Sequence, residues 1–229
     1  MTLPRPAADD AEAHEFGTPA FYAAIGRAFI VMCGVVLLLF AINLVNALEH
    51  YQLDQEGGIV PREPRGLVGV IFSPFLHASW DHVTGNATPL LIAGTFVLAT
   101  GVNRFLAATA LIMLIGGIGE WWVLPSGYIG VGASGVIFGY LGFLVIRGLI
   151  ERTWWSLGVA VLIGALEWYS VAVLFPNQTT NSQHIAWQAH LFGLLGGVIA
   201  AFLFRRPRRR KPVAPTKELP TTITLPTIG

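Results

Sequence analysis

Apolar residues along this chain gather into six runs, roughly 28–48, 80–101, 104–123, 134–150, 154–175 and 188–204, parted by short polar or charged stretches. A helix needs about 20 mostly apolar residues to cross a hydrocarbon core. The pattern therefore predicts an all-α polytopic membrane protein with six transmembrane helices. The second run is the least apolar. It opens with Trp80-Asp81-His82 and carries Asn86 and Pro89, and its apolar stretch from Leu90 to Val102 is too short to span alone. It must include the polar turns before it, which makes those turns unusual.

Composition agrees with that reading. Of 229 residues, 54% are hydrophobic and 12% charged, and the mean hydropathy is +0.62, a balance that a soluble domain seldom has. Charge predicts the orientation. Of the 14 Lys and Arg, only Arg62 and Arg65 fall on one side of the six-span scheme. The others fall near the N-terminus (Arg5, Arg27), at Arg104, Arg147 and Arg152, and in the tail from Arg205 to Lys217. The positive-inside rule makes the richer side, with both termini, cytoplasmic. The first apolar run follows a mixed segment with Asp9, Asp10, Glu12 and Glu15 and lacks a basic start, so it reads as a retained span. Residues 1–20 and 207–229 read as disordered flanks of a membrane domain at 21–206. The basic cluster at 205–211 reads as a stop to translocation that touches anionic headgroups, with no role in nucleic-acid binding. Cys33 reads as packing. No glycine-rich phosphate loop, metal-type Cys/His spacing or repeat is present, so no cofactor or metal is expected.

Polar residues inside the runs converge at one depth. Spans two, four and six all run inward from the extracytoplasmic side. His82 and Asn86 lie in the outer turns of the second, Ser134 at the outer end of the fourth, and His190 in the first turn of the sixth. Polar groups in lipid are costly and usually mark function. A serine hydroxyl becomes a useful nucleophile when a neutral imidazole takes its proton. Gly135 and Gly139 on span four, and Gly193 and Gly197 on span six, form stripes of small residues that let backbones approach. Close packing there would bring Ser134 and His190 within hydrogen-bonding reach. His82 and Asn86, at i and i+4, share a helix face, and with the Ser134 amide they could stabilise a developing oxyanion. Each signal alone has a bland reading: Gly132-Ala133-Ser134-Gly135 as helix packing, His190 as a structural residue, His82 and Asn86 as a helix cap. Together they would also have to explain the shared depth and both glycine stripes.

At these residues the chain resembles a rhomboid intramembrane serine protease, over roughly residues 67–204. The resemblance rests on His77-Ala78-Ser79-Trp80-Asp81-His82-Val83-Thr84-Gly85-Asn86, on Gly132-Ala133-Ser134-Gly135 with Gly139, and on Ala189-His190-Leu191-Phe192-Gly193 with Gly197. It implies a six-helix rhomboid-like bundle of the basic bacterial form in the plasma membrane. It implies Ser134 as nucleophile, His190 as general base, and His82, Asn86 and the Ser134 amide as oxyanion hole. Transmembrane protein substrates would be cut near the extracytoplasmic face. Two positions depart from the family pattern. Phe138 stands where some members have a tyrosine, and Pro61-Arg62-Glu63-Pro64-Arg65 stands where bacterial members often carry a Trp-Arg pair.

The remaining polar residues read as structural. Asp81 is expected in solvent, Glu120 near the outer end in contact with water or headgroups, and Glu167 in a structural hydrogen bond. His77 and His184 are expected to pack in loops. The segment 176–187 has the composition of a mobile lid. A non-catalytic binder or chaperone of membrane helices is the alternative, using the same groove without needing Ser134 or His190. A small transporter would place its polar groups near the midplane. Substrate identity and oligomeric state are not legible.

Overall fold

The computed structural model describes residues 16–167 and 187–205. Most of both predicted flanks, the last third of the fifth run and the lid segment up to residue 186, with His184, lie outside the described residues. The described chain is helical. It comprises α1 (Pro19–Leu48), α2 (Gln52–Gly57), α3 (Gly69–Phe72), α4 (Trp80–Leu98), α5 (Val102–Val123), α6 (Ser134–Glu151), α7 (Trp154–Leu166) and α8 (Trp187–Leu203). Two 3-10 turns, Pro64–Val68 and Ser73–Phe75, flank α3. No strand occurs among the described residues; Ile59 and Gly130 form an isolated bridge.

Each predicted apolar run coincides with a helix over its described part. α1, α5 and α6 are long and apolar enough to cross a membrane, and α7 and α8 are shorter apolar helices. α1 starts well before its apolar run because Thr18 caps it, accepting the Phe21 N–H on Oγ1 at 3.1 Å, with Pro19 at the first helical position. Its C-terminal end is tied down by Asn46. That side chain donates to Asp54 Oδ1 (2.8 Å) and accepts from the Leu53 N–H (3.1 Å), joining α1 to α2. Burial pushes the Asp54 carboxyl up, and the bond from Asn46 opposes that.

α6 is the central helix. Its Ile137, Phe138, Tyr140, Phe143 and Leu144 are all fully buried. It touches α8, α5, α4 and α7; α8 also packs on α5, α4 on α7, and α1 on α4. Backbones approach closely where glycines meet. A Cβ on Gly193 would strike the Gly135 carbonyl, one on Gly197 would strike the Gly139 carbonyl, and one on Gly94 would strike the Met32 side chain. α1 turns Ile30, Leu37 and Leu48 outward, each about 70% exposed. A surface of that kind suits lipid, and the molecule is an integral membrane protein by its apolar helices.

At the end opposite Ser134, charge is drawn inside. Arg147 is 2% exposed. Its Nε donates to Glu151 at 2.8 Å, its guanidinium lies 5.0 Å from the Trp155 ring centre, and Arg104 approaches the same Glu151 at 3.8 Å. This cluster joins α5, α6 and α7.

Candidate active site

The loop from Leu124 to Ala133 returns from the end of α5 and delivers the chain to α6. Three of its last four residues are held by the segment around residues 59–77. Gly130 exchanges two backbone bonds with Ile59, both 2.9 Å. Gly132 N–H donates to the Ser73 carbonyl (2.9 Å), and Ala133 N–H points to His77 Nε2 (3.4 Å). Gly132 has φ +121, a conformation open to glycine and poorly tolerated by other residues. A Cβ there would also sit 2.6 Å from His82 Nε2. Ser134 then opens α6, where unpaired helix N–H groups favour negative charge.

Ser134 Oγ and His190 Nε2 are 2.9 Å apart. The register that sets this distance comes from the glycine contacts. α6 and α8 run parallel, and Gly135 under Gly193 and Gly139 under Gly197 hold them nearly in contact. His190 is 2% exposed. The Phe138 ring stacks flat on its imidazole, with centroids 4.3 Å apart and 2° between planes. Phenylalanine fixes the plane of the ring and offers it no hydrogen bond.

His82 and Asn86 face the same turn from α4. Ser79 caps this helix, accepting the His82 N–H on Oγ at 3.1 Å. His82 therefore stands in the first turn, with its ring against Gly132. Asn86 is buried, and Nδ2 donates one N–H to the His82 carbonyl at 3.1 Å. An amide nitrogen carries two N–H groups, so one remains to serve the turn. Hydroxyl, imidazole and N–H donors thus converge around Gly132-Ala133-Ser134, an arrangement able to take a proton from Oγ and to stabilise negative charge beside it.

Two residues are more involved than the sequence reading had them. His77 is fully buried, and its ring meets the His82 ring edge-on at 5.0 Å. Burial first, and the neighbouring His82 second, push its pKa down to about 3, so it stays neutral behind His82. Its spacing of five from His82, across the Ser79 cap, was the available signal. Glu120 corrects an expectation. It is 5% exposed, because the 124–133 loop folds back over the end of α5 and lays Gly130 against its carboxyl group. With Ser73, Gly132, Gly135 and Ala189 it lines a small, open recess beside Ser134. Its place after Gly116-Gly117-Ile118-Gly119 was the signal for close packing. Asp81 is exposed. No group of three or more His, Cys, Asp and Glu gathers at metal-binding distances among the described residues.

Comparison with known proteins bears on the same segments. A family model described as the Rhomboid domain matches residues 64–207. An uncharacterized protein of Mycobacterium tuberculosis is 37% identical over 187 residues, 76% of this chain and 74% of the relative. One of Mycobacterium leprae is 33% identical over 180 residues, 76% of this chain and 70% of the relative. The "Putative rhomboid protease YdcA" of Bacillus subtilis is 33% identical over 137 residues, 59% of this chain and 66% of the relative. The matched region runs from the 59–77 segment through α8 and includes Ser134, His190, His82 and Asn86. This chain belongs to the rhomboid family.

Proposed function

We propose that the protein is an intramembrane serine endopeptidase that cuts membrane-spanning proteins near the extracytoplasmic face. Six membrane-crossing helices, α1 and α4 to α8, would place both termini in the cytoplasm of a bacterial cell, as the distribution of Arg and Lys suggests. The observation that carries the reading is the 2.9 Å contact between Ser134 Oγ and His190 Nε2.

In this mechanism a substrate helix unwinds locally at the mouth of the site, since a helical peptide bond is hydrogen-bonded and hidden. Ser134 Oγ attacks the exposed carbonyl carbon while His190 Nε2 takes the hydroxyl proton. The carbonyl oxygen becomes an oxyanion held by His82, the spare Asn86 N–H and the Ser134 amide. The imidazolium gives its proton to the leaving amine. His190 then deprotonates a water, which attacks the acyl-enzyme, and the proton returns to Ser134 as the new carboxyl end departs. Electrostatic preorganisation of this type is worth about 10²–10³ in rate per donor.

The test is cleavage of a tagged, single-span membrane substrate in detergent or liposomes by the wild type, Ser134→Ala and His190→Ala. Cleavage by the wild type alone is expected. Equal cleavage by a folded Ser134→Ala variant would sink the mechanism. Where no variant cleaves, an active-site serine probe decides. Labelling that requires His190 keeps the protease, and absent labelling favours a helix-binding role.

A further inference from the structure

The 59–77 segment is a tightly packed frame for the loop that carries Ser134. Its turns are drawn tight at glycines. A Cβ on Gly66 would strike the Val60 carbonyl, and one on Gly69 would lie 2.5 Å from the Ile59 nitrogen. Ile59 is fully buried and Val60 nearly so. Gly117 of α5 leaves no room between itself and Val70.

This frame is fastened to α5 at Arg62, which holds φ +59. A non-glycine residue in that conformation is strained and is maintained by its surroundings. Its backbone N–H donates to the Trp121 carbonyl (3.1 Å). Its Nη1 donates to the carbonyls of Trp122 (3.0 Å) and Leu124 (2.8 Å), and its Nη2 to Ser126 Oγ (2.7 Å). In return Trp121 Nε1 donates to the Glu63 carbonyl at 2.9 Å. A cation at the carbonyl end of a helix is favourable on its own. Here the same fork also grips Leu124 and Ser126, the start of the loop that ends in Ser134. The loop is therefore gripped at its start by Arg62 and at its end by Ile59, Ser73 and His77.

We infer that Arg62 is a positioning residue for the nucleophile: by clamping both the end of α5 and the 124–126 segment to the 59–77 frame, it fixes where Gly132, Ala133 and Ser134 stand relative to His82 and His190. The inference rests on the protease reading for its effect on rate, though not for its effect on structure. Misplacement by about 1 Å can cost on the order of 10²-fold in rate, and partial loosening less.

Arg62→Gly tests it in the full-length protein, since glycine accepts the left-handed backbone while the whole side chain, guanidinium included, is removed. The expected result is kcat down about tenfold with KM within about twofold, a thermal midpoint within a few degrees of wild type, and faster amide exchange at Gly130 and Gly132. Arg62→Lys should recover part of the rate, because an ammonium replaces the charge and loses the fork. Arg65→Ala, which removes an exposed partner of Glu63, should leave all readouts unchanged. Wild-type kcat and exchange in Arg62→Gly overturn the proposal, and so does a fall in kcat with unchanged exchange at both glycines. Exchange is read without turnover. A wild type that cleaves nothing therefore counts against the protease reading alone, and the exchange result still decides the clamp.

Discussion

His190 is held by contacts of different kinds. Phe138 fixes the plane of its ring, and Ser134 Oγ lies 2.9 Å from Nε2. Under the proposed mechanism, the imidazole is thus placed before any substrate arrives, as a general base requires. His77 lies buried against His82, and its environment makes a prediction. Its pKa falls from the ordinary 6.5 to about 3 through burial and the nearby His82. Between those values the unfolded chain binds a proton that the folded chain refuses, so stability should fall as pH drops from 6.5 toward 3, by up to one proton's worth. Thermal midpoints in detergent, recorded across that window, should show a shallower acid slope for His77→Asn than for wild type. Parallel curves would place the lost protons elsewhere.

Among the elements, the pair α6 and α8 decides the site. Their contact is built from glycine against carbonyl, so the two helices share one register and no slack. Gly197 lies two turns below His190 and touches no catalytic atom, yet a methyl there would push on the Gly139 carbonyl. Gly197→Ala is expected to cost about 1–3 kcal/mol as an overpacked contact and to lower turnover at least about tenfold by parting Ser134 from His190. Serine-probe labelling beside a melting curve checks both. A variant that melts earlier but labels at the wild-type rate would show that the helices can part without moving the pair.

On the scale of the whole molecule, the candidate site and a buried ion cluster lie at opposite ends of the helices. Ser134, His190, His82 and Asn86 occupy one end, and Arg104, Arg147, Glu151 and Trp155 tie three helices at the other. Glu151 is the carboxylate between two arginines, one of them almost wholly buried. Glu151→Ala should cost ~3 kcal/mol, since it strips charge compensation from a buried guanidinium, while kcat of the folded fraction stays near wild type. Glu63→Ala removes only the exposed pair with Arg65 and should cost under about 1 kcal/mol. A large loss of kcat in folded Glu151→Ala would mean that the two ends are coupled.

Much of this was written locally in the chain. The apolar runs determined where helices lie, since a backbone in an apolar setting must satisfy its own hydrogen bonds. The caps at Thr18 and Ser79 follow from side chains within three residues of the amides they serve. Residue types at the mouths of the fourth and sixth runs were enough to single out Ser134 and His190 as candidates. The glycine stripes also marked the faces of α6 and α8 that meet; what the chain could not declare is the register and closeness of that contact. A helix turns by about 100° per residue, so a slip of one position between α6 and α8 would swing His190 away from a serine 56 residues distant in sequence. Gly135 against Gly193 and Gly139 against Gly197 remove that freedom, and they do so only once the helices touch. The burial of Glu120 and the grip of Arg62 were hidden for the same reason. Both depend on a ten-residue loop folding back over α5, and the energy of that fold lies in contacts between segments some 60 residues apart, not in any local pattern.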